Sequence, residues 1–368
     1  MILKRLSIQN FRNIESLSLD FSPKINLFVG RNAQGKTNLL EALYLLTLTK
    51  SFRAEKEDEM ISWGKDFTRL TASADSIKIE VLIKQGGKEF KVNSLTKKGI
   101  EVFGVVPQSL FSPEDIGIIG GPPTSRRKFI DVLISLIDKK YLYNLSSYQK
   151  ILRSRNRVLF LLKEGRRAEI KIWDKGLVDF GSQVWQKRRE VLLQLDRLLR
   201  GATKDLLGNE IKLVYKPRGV GNLETLNEIK EAYAKLIEKI KDAEIERGFS
   251  ILGPHRDDFR FVLEQLEDDK ILEKDLGLFG SRGERRTALV CLKFCEVNLL
   301  EEYLGTRPIL ILDDVLSELD SIHQELIFSI LDKQQTFATA LDRNLFPKAL
   351  LENAKTWVIE NGSFNIAS

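Results

Sequence analysis

Eight consecutive residues constrain this chain more than any other feature. Gly30-Arg31-Asn32-Ala33-Gln34-Gly35-Lys36-Thr37 fits the pattern G-x-x-x-x-G-K-[ST]. The flanks fit as well. Ile25 to Val29 reads as a short buried strand, and Leu39, Leu40, Leu43 and Leu46 recur at helical spacing. A glycine-rich turn between a strand and a helix aims several backbone N–H groups inward, and the helix N-terminus adds partial positive charge. Such a loop cradles phosphate. Lys36 is expected to reach the β- and γ-phosphates of ATP and take part in catalysis. Thr37 is expected to ligate Mg2+, and the whole run from Gly30 to Thr37 to line the nucleotide.

A phosphate cradle needs an acidic partner to hold the metal. Pro308-Ile309-Leu310-Ile311-Leu312-Asp313-Asp314 supplies one: four apolar residues bury a strand and two carboxylates emerge at its end. Asp313 is the expected metal ligand and Asp314 the catalytic group that orients or deprotonates water. Lys36 and Asp313 lie 277 positions apart (313 − 36). A compact nucleotide-binding domain rarely needs that interval, so a segment is inserted. That excludes small GTPases and nucleotide kinases.

The pattern along the chain agrees. Leu6 and Ile8, Leu17 to Phe21, and Ile77 to Val92 alternate as strands, the last folded at Gly86-Gly87. From Phe129 to about Gly201 the spacing becomes helical, as at Val184, the Arg188 stem, Val191, Leu195 and Leu198. A second helical stretch carries Ile229, Tyr233 and Leu236, with a loop at Gly219, Gly221 and Asn222 before it. Strand character returns at Phe259 to Leu263, followed by an exposed acidic stretch from Glu264 to Asp269. The fold class is α/β: an ATPase head of mixed sheets around the phosphate loop, plus an inserted, mainly helical lobe. The expected boundaries are 1–122 and 248–368 for the head and 123–247 for the lobe.

Ser281-Arg282-Gly283-Glu284 precedes a helix beginning near Thr287. It forms a second turn suited to phosphate at a helix N-terminus, or a plain helix cap. Two cradles on one chain suggest two copies that sandwich nucleotide, with Ser281 and Gly283 lent to the opposite copy.

The net charge of +6 is modest. From Lys150 to Arg200, however, fourteen Lys/Arg face six Asp/Glu. Such density suits a solvated helix face or phosphate contacts with little base readout; Arg153, Arg155, Arg157, Arg166, Arg167, Lys187 and Arg188 are the candidate contacts to DNA. Cys291 and Cys295 read as buried reduced thiols in a cytoplasmic protein. No apolar run reaches the roughly 20 residues that span a bilayer. His255 reads as structural, and Asp257 or Asp258 either holds it in one tautomer or pairs with Arg256.

Together these parts resemble the ATPase heads of the ABC and SMC group, and within it the RecF family of bacterial recombination proteins. The matching residues are Asn10-Phe11-Arg12-Asn13, Gly30 to Thr37, Lys50-Ser51-Phe52-Arg53, Phe111-Ser112-Pro113-Glu114-Asp115 and Arg126-Arg127-Lys128-Phe129-Ile130-Asp131. Gly253-Pro254-His255-Arg256-Asp257-Asp258 and Leu312-Asp313-Asp314-Val315-Leu316-Ser317-Glu318-Leu319-Asp320 complete the set. The resemblance implies that Arg12 and Asn13 approach the nucleotide and that Ser281 and Gly283 form the ABC signature. It implies a D-loop at Ser317, Glu318 and Asp320, and a Q-loop glutamine at Gln108. The usual switch histidine falls in the Thr339 region, near Asp342. Glu284 stands where the family usually has Gln, so it must point away from phosphate or pair with Arg285 or Arg286. The implied activity is a weak, DNA-stimulated ATPase that dimerises on ATP. It would bind duplex DNA and single-strand/double-strand junctions in repair and replication, and help load RecA with RecO and RecR. An SMC-like tether, a nuclease ATPase subunit and a transporter subunit are the competing classes. The insert lacks the heptads, the extra acidic cluster and the membrane segment that these need.

Overall fold

The computed structural model describes residues 2–221, 223–267, 270–360 and 363–366. The chain divides into two compact units, Met1–Glu114 with Glu296–Ser368, and Asp115–Cys295.

The first unit holds two six-stranded sheets. One is antiparallel, in the order Ile14–Asp20, Leu3–Phe11, Phe67–Ala74, Ile77–Lys84, Gly87–Val92, Leu95–Lys97. Its strands alternate as the sequence does: Leu6, Ile8, Leu70, Ala72, Ile79 and Val81 are buried. The other sheet runs Ser363–Ile366, Ala354–Glu360, Ile25–Val29, Thr336–Ala340, Ile309–Leu312, Gln108–Phe111. Its last five strands are parallel and Ser363–Ile366 is an antiparallel edge. Ile309–Leu312 and Thr336–Ala340 are buried throughout, as the continuous apolar runs of a covered parallel sheet require. Because these strands run the same way, Val29 and Leu312 end at the same edge. The phosphate loop and the acidic pair therefore converge there, separated by the strand Thr336–Ala340.

The second unit contains helices Pro123–Ile137, Lys139–Lys163, Lys171–Leu207 and Leu226–Arg247. It also contains a three-stranded antiparallel sheet of Lys270–Asp275, Asp258–Glu267 and Glu210–Lys216. Two expectations change here. The strand Glu210–Lys216 is not among the expected elements, because only Ile211 and Leu213 alternate inward in a charged segment. Its partner Asp258–Glu267 takes in much of the stretch expected to be exposed and acidic. Glu264 is hydrogen-bonded to Arg200 and Lys212, while Asp268 and Asp269 lie outside the described residues, as does Asn222. This pairing ties the residues after 248 to the insert; the two compact units change over at 114/115 and 295/296, and the expected domain boundaries are 122/123 and 247/248.

Candidate nucleotide site

Gly35 is the N-cap of helix Lys36–Leu48 at φ 103°, a left-handed conformation that favours glycine. A Cβ there would sit 3.0 Å from the Asn13 side chain, and one on Gly30 would fall 2.5 Å from the Ile359 carbonyl oxygen. Arg31, Asn32 and Ala33 are exposed and Gln34 is half-buried, so the top of the loop faces solvent.

Below the loop, the Lys36 ammonium is buried. It donates to the Gly30 carbonyl at 2.6 Å and lies 3.4 Å from Asp314 Oδ2. The Thr37 hydroxyl donates to Asp313 Oδ1 at 2.9 Å. Thr339, on the strand between, donates to the same oxygen at 3.0 Å and accepts the Asp314 N–H at 2.8 Å. Burial raises the Asp313 carboxyl above the usual range, against the hydrogen bonds from Thr37 and Thr339. Asp314 sits in the left-handed region at φ 51°, and its Oδ1 is buried with no hydrogen-bond partner among the described residues. Two carboxylates beside a hydroxyl and an ammonium suit a hard cation bridged to phosphate. Among the described residues no cluster of three His, Cys, Asp or Glu forms a metal cage by itself.

The cleft over these groups is about 540 Å³, within the size range of ligand pockets. Asn13, Asn32, Ala33, Gly35, Lys36 and Thr37 line it with Asp313 and Asp314. So do Asn38, Arg53 and Glu114, which no spacing in the sequence places there. Asn13 accepts from Asn38, which in turn accepts from Arg53, so these three side chains form one rim. Arg53 and Glu114 stand within motifs of the family resemblance, but those motifs give no direction for their side chains.

Arg12 and Gln108 are held by neighbouring groups of the head. The Arg12 guanidinium donates twice to Glu41, a fully buried carboxylate, and once to the Glu59 carbonyl. It braces the head and does not line the cleft. Gln108 is buried at the start of its strand and donates to the Leu43 carbonyl. Strand register turns it toward helix Lys36–Leu48, and Glu114, six residues on, lines the cleft instead.

In the first unit, Ser317 is exposed and donates to the Asp314 carbonyl. Asp320 caps helix Ser321–Leu331 through the His323 N–H. The Glu318 side chain lies outside the described residues. In the second unit, Ser281 and Glu284 form a reciprocal cap: the Ser281 N–H donates to Glu284, and the Glu284 N–H to the Ser281 hydroxyl. Glu284 pairs with Lys274 at 2.9 Å, not with Arg285 or Arg286. Burial alone would raise its pKa, yet Lys274 and Ser281 hold it below the usual range. Ser281 and Gly283 remain exposed, with open space around Gly283. Cys291 and Cys295 are buried free thiols, pushed up to about 12 by burial.

His255 accepts from Tyr148 at Nδ1 and donates from Nε2 to the Ser250 carbonyl. Neither neighbouring aspartate holds it. Asp257 takes the Tyr215 hydroxyl and the Arg218 N–H, and Asp258 takes Arg126. The basic run also divides. Arg155 is buried against Asp174 and Glu244, and Arg188 against Asp131 and Asp257. These two are structural and not DNA contacts, because their charge is neutralised inside the lobe. Lys187 is half-buried and bound to Glu190. Arg153, Arg157, Arg166 and Arg167 are exposed.

The chain matches the family model of the RecF/RecN/SMC N terminal domain over residues 2–363. It is 36% identical over 377 residues to the DNA replication and repair protein RecF of a Bacillus cereus strain, covering 99% of this chain and 98% of that protein. The RecF protein of Bacillus thuringiensis (strain Al Hakam) matches at the same identity and coverage. Among solved structures, the recombination mediator protein RecF-ATP of the RecFOR pathway superposes with a TM-score of 0.90 at 33% identity, covering 100% of this chain and 98% of that one. An Smc head bound to the C-winged helix domain of ScpA superposes at 0.55 with 12% identity over 100% of this chain and 97% of that one, a likeness of fold alone.

Proposed function

The chain belongs to the RecF family of the RecF/RecN/SMC group, and from that premise we propose that it is an ATP-switched, DNA-binding protein of recombinational repair and replication-fork maintenance. The observation that carries this reading is the 2.9 Å bond from Thr37 to Asp313, with Lys36 3.4 Å from Asp314. It joins a phosphate loop to an acidic pair from the far end of the chain. The likeness to the solved RecF-ATP structure supports ATP as the nucleotide.

In this reading the Gly30 to Thr37 backbone and Lys36 hold the phosphates. Thr37 and Asp313 would hold Mg2+, which would offset the buried carboxylate and polarise the γ-phosphate. Asp314, whose Oδ1 lacks a partner, accepts a proton from the attacking water or orients it. Lys36 must leave the Gly30 carbonyl to reach phosphate, so nucleotide entry exchanges one partner of the ammonium for another.

Ser281 and Gly283 of a second copy would meet the γ-phosphate. Their exposure and the withdrawal of Glu284 onto Lys274 support this. ATP then favours a closed dimer, with Ser317 to Asp320 at its seam, because one phosphate touches two subunits. Slow, DNA-stimulated hydrolysis removes the bridge and releases DNA. The dimer acts near single-strand gaps in the cytoplasm and helps load RecA with RecO and RecR. Among the described residues no helix is long and apolar enough to cross a membrane.

Sedimentation velocity with ATP, ADP and no nucleotide tests the switch, alongside DNA binding to duplex, single strand and gapped junction over a salt series. ATP alone should shift the protein to a dimer and tighten its hold on DNA. A profile identical in all three states would sink the reading.

A further inference from the structure

The basic run in the second unit holds two kinds of residue. Arg155, Lys187, Arg188, Arg189 and Arg200 are all paired with carboxylates. Arg153, Arg157, Arg166 and Arg167 are exposed, and their side chains make no ion pair or hydrogen bond among the described residues. These four arginines gather at one place, the C-terminal half of helix Lys139–Lys163 and the turn after it, while Arg197, also exposed, lies on helix Lys171–Leu207.

Two exposed aromatic rings share that place. Phe160 is 56% exposed on the same helix face as Arg153 and Arg157. Phe249 is 41% exposed on the segment that packs along the helix. An added Cβ on Gly248 would lie 3.8 Å from the Phe160 Cα and 3.1 Å from the Lys163 side chain. The segment is fixed there. The Ser250 N–H donates to Asn156 at 2.9 Å, and Arg155 donates to the Ser250 hydroxyl at 2.7 Å. Buried Arg155 is itself held by Asp174 and Glu244, each at 2.7 Å. The Arg256 guanidinium lies 5.4 Å from the centre of the Phe249 ring, a stack of cation on aromatic.

We propose that this patch is a binding face for single-stranded nucleic acid. The sugar-phosphate chain lies across Arg153, Arg157, Arg166 and Arg167, and bases stack on Phe160 and Phe249. The proposal rests on the DNA-binding reading above and adds to it a surface and a strand preference. Positive charge without exposed rings would suit a duplex equally well. Rings beside that charge favour a single strand, whose base faces are free to stack, whereas a duplex hides them. Arg155 acts by position: it ties the Phe249 segment to the helix, so the platform is set before the strand arrives.

The test uses the full chain with a fluorescent oligothymidine and a duplex of equal length, read by anisotropy over a salt series. Phe160→Ala with Phe249→Ala should weaken single-strand binding about 10-fold and change duplex binding less than about twofold. Arg153→Gln with Arg157→Gln should flatten the single-strand salt slope by about 1.4, at about 0.7 per phosphate contact. All four side chains are exposed, and unchanged ATP affinity and thermal midpoint report that the variants fold. If the wild type binds single strands and both variants match it in affinity and salt slope, the patch is overturned while the DNA-binding function stands. The patch is equally overturned if the variants lose only a protein partner. A wild type that binds no DNA in any nucleotide state overturns the function and the patch together.

Discussion

The Thr37 hydroxyl donates a 2.9 Å hydrogen bond to Asp313 across 276 positions of sequence. Thr339 donates to the same carboxylate oxygen. The two hydroxyls hold the oxygen in place within a buried site, yet neither brings positive charge. Burial therefore raises the Asp313 carboxyl, a demand for positive charge that a bound cation would meet.

That demand makes Asp313→Asn a two-sided test. A carboxyl raised by folding favours the folded state below its ordinary pKa and loses that contribution as pH rises through the raised value. At neutral pH the ionised group is a cost. Asn keeps an acceptor for Thr37 and Thr339 and removes the charge. The nucleotide-free thermal midpoint should rise by about 1–3 °C, while the further rise produced by ATP with Mg2+ should vanish. A variant that keeps the ATP-dependent rise would remove Asp313 from the metal site.

Lys36→Ala removes the ammonium that now rests on the Gly30 carbonyl and faces Asp314. ATP-driven dimerisation should be abolished in sedimentation, because the phosphates lose their buried cation. Asp314→Asn should separate binding from turnover. It should keep ATP affinity, cut hydrolysis by about 100-fold or more, and leave the dimer assembled after wild type has returned to monomer. Equal dimer lifetimes for Asp314→Asn and wild type would count against its role toward water.

Arg12 distinguishes a brace from a ligand. Its partner Glu41 is fully buried and also accepts from Ser51 at 2.5 Å. Arg12→Ala leaves that carboxylate uncompensated and should destabilise the head by about 3 kcal/mol in chemical denaturation. Adding Glu41→Gln should restore most of the loss. A direct nucleotide contact would give the opposite result: unchanged stability without ATP, and an affinity defect that Glu41→Gln does not repair.

The phosphate loop and the Asp313-Asp314 strand are legible in the sequence because each is local: strand, turn and charge lie within a dozen residues. Even the burial of Arg188 leaves a trace, since it falls on the stripe with Val184, Val191 and Leu195. Arg155 and Arg157 differ in fate although they are neighbours of one type. Helix phase turns Arg155 toward Asp174 and Glu244, and those acids come from segments that only the fold brings close. The strand Glu210–Lys216 is hidden for a related reason: its partner Asp258–Glu267 lies beyond an entire helix. The rim of Asn38, Arg53 and Glu114 depends on where side chains point at the ends of parallel strands, which local spacing does not encode.

His255 gives the last prediction, and its sign follows from its surroundings. Burial lowers its pKa from 6.5 to about 4, with Tyr148 donating to one ring nitrogen and the Ser250 carbonyl accepting from the other. The folded state therefore holds a neutral imidazole, while the unfolded chain protonates near the ordinary value. Its contribution is fully present above pH 6.5 and is lost as pH falls toward 4, amounting to roughly 3 kcal/mol across that window. His255→Gln cannot take up a proton. The variant should be less stable than wild type at pH 7.5, where it loses a fitted hydrogen-bonding ring. The gap should then narrow steadily between pH 6.5 and 4 in urea denaturation. A gap that stays constant across those pH values would mean that His255 titrates alike in both states, and that the Tyr148–His255–Ser250 chain does not keep the ring neutral.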